Sequence, residues 1–396
     1  MNIGIVTTWF ERGAAYVSKA YREALVSRHN VYVFARGGDG DGRGNPNWDA
    51  EYVTWGPYVP DGGRTGVAWR LFRRWVRARR LDMILFNEQH SWTPVVRARR
   101  KLRVPIGAYV DYYTRRTAPF FHLYDFLLCN TKRHHSVFQN HPNAIHIPWG
   151  TDCRKLRASC EPVRPGEVVF FHSAGMSPGR KGTALVLEAF RKLTGPCRLL
   201  LHLQAPLSKH PEVEGLCGED SRIEVVNETV PFPGLYHRGD VYVYPTRLEG
   251  IGLTVPEALA SGLPVIATKA PPMTEFVRDG ETGILVEPVE QRTREDGYYW
   301  PEDLCSAEGV RKAMAFYVDN VSRVGGFKRA ARAHAERNLD WTKNAENLPG
   351  LLEALADAHL GRTDQRPLER RAERYSRGLL LRQILRRLPF AGREST

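Results

Sequence analysis

Long apolar runs are missing from this sequence of 396 residues. No uninterrupted hydrophobic stretch approaches the roughly 20 residues that a helix needs to cross a bilayer, so no transmembrane segment is predicted. Met1–Val6 indicates a buried strand and not a signal peptide, because no basic leader precedes it and the apolar run breaks at Thr7-Thr8. We therefore expect a cytoplasmic protein.

Cysteine clusters, internal repeats and a metal-binding acidic motif are missing too. The six cysteines show no Cys-x-x-Cys spacing, which argues against a zinc site or a disulfide framework and for a reducing environment. No repeat of about 20–50 residues appears, which excludes a solenoid. Asp39-Gly40-Asp41 lies in a Gly-rich segment, so no divalent metal is predicted. The cysteines are Cys129, Cys153, Cys160, Cys197, Cys217 and Cys305.

Positive charge, in contrast, is abundant, with a formal net charge of +13. The composition, 42% hydrophobic and 26% charged, is typical of a globular protein, and the length indicates two domains of about 150–200 residues. The basic side chains either keep the protein surface solvated or bind an anionic partner, such as nucleotide phosphates, nucleic acid or an acidic membrane face. No helix-turn-helix, zinc finger or aromatic RNA-binding signature is present, so nucleic acid is not predicted as a partner.

Strand-like and helix-like segments alternate along the chain, which predicts parallel sheets covered by helices. The alternation breaks into turn residues at Ile147–Asp152 and then resumes. The predicted fold class is α/β, with two Rossmann-like doubly wound domains that face a central cleft, because ligands gather at the carboxyl ends of parallel strands. The predicted organisation is an N-terminal domain at 1–152, a C-terminal domain at 153–343, a closing helix at 344–360 that returns to the N-terminal domain, and a basic amphipathic tail at 361–396.

Residues 241–288 carry the most informative pattern. A strand leads through a loop with Gly250 and Gly252 into a predicted helix. Thr254 is the predicted N-cap of that helix, Glu257 sits where it would complete a capping box, and Gly262 is expected to end the helix. The free N–H groups at such a helix start attract a phosphate group.

Glu249 and Glu257 in this segment are separated by seven residues. In the ordered run that continues through 258–267 and 275–286, this pattern resembles the retaining glycosyltransferases of the GT-B fold, in their family four (glycosyl transferases group 1). The resemblance implies that Glu249 hydrogen-bonds hydroxyls of a donor sugar, that Glu257 binds the ribose hydroxyls, and that loop amides hold the terminal phosphate. Glu257 as a helix cap and Glu249 as a solvated loop residue are the alternatives. The implied donor-binding residues are Gly13, Gly250, Ile251, Gly252, Leu253, Thr254 and Glu257.

A second group of residues follows the predicted strand 168–171. The family has an arginine at this strand end and, five residues later, a lysine followed by glycine. Lys181-Gly182 matches the second half of that pattern, but Met176 takes the place of the arginine. Arg180 is expected to provide the missing charge, because either cation offsets the charge of a diphosphate. A basic surface turn is the alternative.

The first domain offers fewer matches to the family. Gly13 lies in the predicted loop after the first strand, where the family brings its backbone close to the diphosphate. Where many relatives have a histidine near the sugar, this chain has Asp111, which would either meet a sugar hydroxyl or simply end a strand. His90, His122 and His172 are candidates by residue type alone, and for each a structural role is expected.

These features predict a retaining glycosyltransferase that moves a sugar from a nucleoside-diphosphate sugar to an acceptor. The predicted catalytic residues are Glu249, Lys181, Arg180 and Asp111. The donor is a co-substrate, so no cofactor is predicted, and the two cations are expected to meet the leaving diphosphate without a metal ion. The alternatives are a sugar-nucleotide epimerase of the same fold and a noncatalytic protein that binds nucleotide sugars or other anions.

Two basic amphipathic stretches bear on the acceptor. Ala68–Arg79 has an apolar face with arginines opposite, and it either packs on the sheet or rests on anionic lipid. The tail around Leu379–Phe390 has the same character and either anchors the enzyme at the inner face of a membrane or is a disordered basic tail. A membrane location would suit a glycan or lipid-linked acceptor, as in envelope polysaccharide or glycolipid biosynthesis.

Overall fold

The computed structural model describes residues 1–38, 42–61, 65–156, 161–218, 220–357 and 364–387. Asp39-Gly40-Asp41, Cys160 and the part of the tail beyond Arg387 lie outside the described residues. The chain divides into two compact units, which are described separately below. The first consists of Met1–Asn130, His134–Ile147 and Ala345–Thr396, and the second of Thr131–Arg133 and Pro148–Asn344.

Strands and helices alternate in the N-terminal part of the first unit. The strands are β1 (Asn2–Thr7), β2 (Asn30–Gly37), β3 (Val53–Tyr58), β4 (Met83–Phe86), β5 (Ile106–Tyr109), β6 (Phe126–Cys129) and β7 (Ala144–His146). The helices are α1 (Gly13–Leu25), α2 (Trp69–Ala78), α3 (Trp92–Lys101) and α4 (Lys132–Val137), and the first two residues of α4 are assigned to the second unit. The strands form one sheet in the order β3-β2-β1-β4-β5-β6-β7, and all neighbours are parallel. The order reverses between β1 and β4, which is the switch point of a doubly wound sheet.

Helix α2 corresponds to the amphipathic stretch 68–79. The ring centroids of Phe72 and Trp75 lie 5.5 and 5.4 Å from that of Phe34 in β2, and all three side chains are buried. Of the two interpretations of this stretch, the structure supports packing on the sheet. The apolar face of α2 is therefore not available to a lipid surface, and the lipid interpretation of this face is wrong.

The second unit repeats the alternation. Its strands are β8 (Val168–Gly175), β9 (Cys197–Leu203), β10 (Ile223–Asn227), β11 (Val241–Tyr244), β12 (Val265–Thr268), β13 (Gly283–Val286), β14 (Glu290–Arg292) and β15 (Glu302–Leu304), and its helices are α5 (Pro178–Lys181), α6 (Thr183–Arg191), α7 (Pro211–Cys217), α8 (Thr254–Ala260), α9 (Met273–Phe276), α10 (Ala307–Asp319), α11 (Val324–Asn338) and α12 (Trp341–Asn344). The main sheet has the parallel order β10-β9-β8-β11-β12-β13, with its switch point between β8 and β11. Strands β14 and β15 form a separate antiparallel pair.

The chain then returns to the first unit as α13 (Leu348–Asp357) and α14 (Arg366–Arg387). The early part of α14 packs on α3, where Arg100 lies 2.7 Å from Glu369 and 3.0 Å from Glu373. Near its end, α14 exposes the apolar side chains of Leu381 and Leu385. None of the helices in the described ranges is long and apolar enough to span a bilayer.

Candidate functional site

The site in the second unit lies at the switch point of its sheet. Arg180 and Lys181 follow β8, and Glu249 follows β11, the neighbour of β8. The order of a doubly wound sheet places the loops after these two strands side by side, because the strands are adjacent but their helices cover opposite faces. The two groups that the sequence analysis singled out separately therefore come together.

Four side chains converge on the carboxylate of Glu249. Its Oε1 accepts hydrogen bonds from Lys181 Nζ at 2.7 Å, from the Thr246 hydroxyl at 2.7 Å and from the Tyr244 hydroxyl at 2.9 Å. Its Oε2 lies 2.9 Å from a guanidinium nitrogen of Arg180. The Glu249 side chain is 7% exposed. Glu249 is thus a buried, hydrogen-bonded group, not a solvated loop residue.

The charges of this group set its protonation. Burial would raise the pKa of Glu249, but the charges of Arg180 and Lys181 and the hydrogen bonds to the carboxylate lower it to about 2. Burial lowers the pKa of Lys181 to about 8, against the attraction of Glu249. Both groups are therefore ionised near neutral pH, because the opposite charges of the carboxylate and the two cations stabilise one another.

The remaining residues of the loop after β8 are distinct from this group. The Met176 side chain, which stands where the family has an arginine, is 66% exposed. His172 is buried, with one ring nitrogen 2.7 Å from the carbonyl oxygen of Val243 and the other 2.9 Å from the Thr183 hydroxyl. Burial lowers the pKa of His172 to about 4, so this histidine is neutral and structural.

The loop that leads into α8 contains Gly250, Ile251, Gly252 and Leu253, in that order. Gly252 adopts a φ of +80°, and a Cβ at this position would lie 2.4 Å from the end of the Met273 side chain. The backbone conformation therefore favours glycine here, whereas the flexible Met273 side chain could move to make room for a Cβ. Ile251 is buried and anchors the loop from inside.

The predicted capping box at the start of α8 is wrong. The residue before the helix is Leu253, whose side chain makes no cap hydrogen bond, and Thr254 is already helical. The predicted end is confirmed: Gly262, with a φ of +80°, donates to the Leu259 carbonyl, and Leu263 donates to the Ala258 carbonyl. These two bonds are those of a Schellman motif.

Glu257 meets a tyrosine and does not cap its helix. The hydroxyl of Tyr236 donates to Oε2 of Glu257 at 2.6 Å. Burial raises the pKa of Glu257 to about 7, and the bond with Tyr236 opposes that rise. Glu257 therefore titrates in the neutral range, whereas Glu249 does not.

The first unit holds the other two predicted residues. Gly13 begins α1 instead of lying in a loop, with Arg12 as the residue before the helix, so the loop prediction for Gly13 is wrong. Asp111 follows β5 and hydrogen-bonds to Glu88, which lies 3.7 Å from Arg12. Burial and the nearby charge of Glu88 raise the pKa of Asp111 well above its ordinary value, which favours a protonated carboxyl at this position.

Sequence reasoning missed Tyr236, Tyr244 and Thr246. Tyr244 and Thr246 stand close to Glu249 in sequence, and the polar hydroxyl at the end of a buried strand was a usable signal for both. Tyr236 had no such signal, because it lies 21 positions from Glu257 in a separate short 3-10 helix.

A cavity of about 270 Å³ opens beside the loop after β8, and neither Glu249 nor Glu257 lines it. Its ionisable lining residues are Lys209, His210, Glu212 and Arg247. Within the described ranges, His, Cys, Asp and Glu residues form no group of three or more that could hold a metal ion.

Comparison with known proteins shows which family these features resemble. Residues 167–294 match the family model of glycosyl transferases group 1. The chain is 28% identical over 166 residues, 41% of each chain, to the lipopolysaccharide core biosynthesis mannosyltransferase LpsB of Rhizobium meliloti (strain 1021). It is 27% identical over 225 residues, 54% of this chain and 55% of the relative, to a phosphatidyl-myo-inositol mannosyltransferase of Mycobacterium tuberculosis (strain ATCC 25618 / H37Rv). The chain thus spans about half the length of the curated relatives it matches.

The fold is shared over almost the whole chain. The crystal structure of Anabaena Alr3699/HepE in complex with UDP and glucose is similar with a TM-score of 0.68 at 17% identity, and the match covers 89% of this chain and 100% of that one. The GT-B fold class and the resemblance to glycosyl transferases group 1 that the sequence predicted are therefore confirmed, the first over most of the chain and the second at residues 167–294.

Proposed function

We propose that this protein is a retaining glycosyltransferase that transfers a sugar from a nucleoside-diphosphate sugar to a glycan or lipid-linked acceptor. The observation that carries the proposal is the convergence of Lys181 and Arg180 on Glu249 at the switch point of the second sheet. Relatives named as mannosyltransferases and a similar fold that binds UDP and glucose support the same activity.

The two cations would stabilise the leaving diphosphate. Glycosyl transfer places negative charge on the diphosphate as the bond to the sugar breaks, and a preorganised positive group at that point lowers the barrier. Lys181 acts as a compact charge and Arg180 as a planar fork, and both are held in position by Glu249. A diphosphate would accept hydrogen bonds from the same nitrogens. We expect this arrangement to work without a divalent metal.

The two glutamates would bind different parts of the donor. Glu249, ionised near neutral pH, would accept hydrogen bonds from sugar hydroxyls, and Glu257 would accept them from the ribose. The backbone of Gly250–Thr254 would approach the terminal phosphate, since Gly252 leaves the loop narrow. Asp111, whose raised pKa favours the protonated form, would donate a hydrogen bond to a substrate hydroxyl. Gly13 stays a predicted donor contact through its backbone.

The tail would bring the enzyme to the inner face of a membrane. Leu381, Ile384 and Leu385 are exposed on α14 by 60%, 47% and 63%, and Arg382 stands among them. An exposed apolar face with neighbouring arginines favours an anionic lipid surface. Sedimentation with anionic vesicles tests this: wild type should bind, and Leu381→Glu/Leu385→Glu should not. Equal binding of both would contradict the tail's role.

A donor screen tests the main proposal. The protein is mixed with UDP-, GDP- and ADP-sugars, and binding is followed by the rise in melting temperature, since a ligand at 100 times its Kd stabilises by about 2.7 kcal/mol. The donor that binds is then incubated with lipid and glycan acceptors, and the anomeric configuration of the product is read by NMR. Retention supports the proposal; inversion contradicts the retaining mechanism, and isomerised donor without transfer would indicate an epimerase.

A further inference from the structure

Three tyrosines form a continuous aromatic group beside the two glutamates. The ring centroid of Tyr242 lies 5.8 Å from that of Tyr236 and 5.3 Å from that of Tyr244, and Phe171 packs at 5.5 Å from Tyr236. Tyr236 is 5% exposed, and the other two tyrosines are completely buried. Close packing on several sides fixes where each ring, and therefore each hydroxyl, can lie.

The hydroxyls at two ends of this group reach different carboxylates. Tyr244 donates to Glu249 at 2.9 Å, where it is one of several donors. Tyr236 donates to Glu257 at 2.6 Å. Among the described residues, this is the side-chain hydrogen bond that holds the Glu257 carboxylate. A glutamate side chain on a helix has three rotatable bonds, so a single fixed donor has a large influence on its orientation.

We infer that Tyr236 is a positioning residue for nucleotide binding, which holds the Glu257 carboxylate in the orientation that accepts ribose hydroxyls of a nucleoside diphosphate. The inference rests on the proposed function. A carboxylate has about four lone-pair sites, and Tyr236 uses one of them, so acceptor capacity for a vicinal diol remains. The tyrosine itself does not have to touch the ligand.

The same bond has a consequence for pH. Glu257 accepts two hydroxyls only when it is ionised, and burial has raised its pKa to about 7. The Tyr236 bond lowers that pKa, so its removal raises the pKa further. Tyr236→Phe should therefore move the pH dependence of binding upward. The other titratable or charged groups on α8's neighbours lie on α9, on α11, and on β11 with its loop. They are Glu275 on α9, Lys328, Arg329, Arg332, His334, Glu336 and Arg337 on α11, and Tyr242, Tyr244, Arg247 and Glu249 on β11 and the loop.

Calorimetric titration with UDP, GDP and ADP over roughly pH 5.5–8.5 tests the inference. For whichever nucleotide binds the full-length protein, wild-type affinity should rise with pH through a midpoint near 7. Tyr236→Phe should bind about 5- to 20-fold more weakly at neutral pH, with a higher midpoint, because a hydrogen bond to a charged group is lost. The matched control is Tyr317→Phe, a buried tyrosine of α10 whose hydroxyl has no hydrogen-bond partner among the described residues, and it should behave like wild type.

The outcomes separate this inference from the proposed function. Binding by Tyr236→Phe with wild-type affinity and midpoint overturns the inference and leaves the proposed function standing. If none of the three nucleotides binds wild type, both the inference and the proposed function fail. The carboxyl titration of Glu257, followed by 13C NMR in protein labelled at glutamate and assigned with Glu257→Gln, checks the bond without any ligand: an unchanged pKa in Tyr236→Phe contradicts it. Melting temperatures of the variants verify that each one is folded.

Discussion

Glu249 and Glu257 belong to one loop-and-helix segment, yet their surroundings shift the pKa values of the two carboxyls in opposite directions. Glu249 accepts bonds from a lysine, a threonine and a tyrosine and lies beside an arginine, and its pKa is held at about 2. Glu257 is bonded to Tyr236, and its pKa rises to about 7. Both carboxyls lose contact with water on burial, which raises the pKa of each. The pKa values differ because positive charges lie beside Glu249 and not beside Glu257. A shared motif therefore does not imply a shared protonation state.

The largest expected effect follows from removing a charge at the Glu249 end. Lys181→Ala and Glu249→Ala should each lower kcat/KM for transfer by about 100- to 1000-fold, because a preorganised group at the reacting centre is lost. Lys192→Ala, an exposed lysine of the same unit, serves as the control and should retain activity. Steady-state kinetics and circular dichroism measure activity and folding. Wild-type turnover in both site variants would show that Lys181 and Glu249 are not part of the catalytic site.

Stability against pH should separate the two glutamates by sign. For Glu257 the folded pKa, about 7, exceeds the ordinary 4.5, so its contribution to stability is complete below about pH 4.5 and is lost as the pH rises through 7. Glu257→Gln should therefore exceed wild type by about 1–3 kcal/mol at alkaline pH and match it in acid. Calorimetric unfolding at several pH values gives the comparison.

Glu249→Gln should show the reverse dependence. Its folded pKa, about 2, lies below 4.5, so the wild-type contribution is present above about pH 4.5 and is lost as the pH falls through 2. The variant should be less stable than wild type at neutral and alkaline pH. If both glutamine variants shifted in the same direction at alkaline pH, the contrast between the two carboxyls would not hold.

Tyrosine variants should produce smaller and different kinetic changes. Tyr244→Phe should lower kcat about 3- to 10-fold, since Glu249 keeps its other donors. Tyr236→Phe should instead raise the KM for the donor and leave kcat close to wild type. Initial-rate measurements with varied donor concentration distinguish the two. A lower kcat in Tyr236→Phe would indicate that Tyr236 acts on the chemical step and not on donor binding.

The smallest expected effect is that of metal chelation. Lys181 and Arg180 already offer positive charge for the diphosphate, so EDTA should change the transfer rate less than about twofold. The control is readdition of Mg²⁺ or Mn²⁺ after dialysis. A rate that collapses with EDTA and returns with either ion would show that the two cations are insufficient.

The sequence predicted much of the second unit because the relevant signals are local. The strand at Val241–Tyr244 and the glycine that ends α8 were predicted as the structure has them, since strand periodicity and the φ of Gly262 depend on near neighbours. The predictions about site residues that failed concern helix starts. Thr254 and Gly13 are both already helical, because helix boundaries depend on how the flanking loop packs.

By itself, the sequence determined the α/β fold class, the family resemblance and the presence of two glutamates and two cations near strand ends. Only the tertiary structure decided which groups meet. Lys181 and Glu249 are 68 positions apart, and Tyr236 and Glu257 are 21 apart, in different elements. The order of the strands in the sheet brings them together, and no local pattern carries that order. The protonation of each carboxyl follows from those contacts, because burial and neighbouring charge exist only in the folded chain.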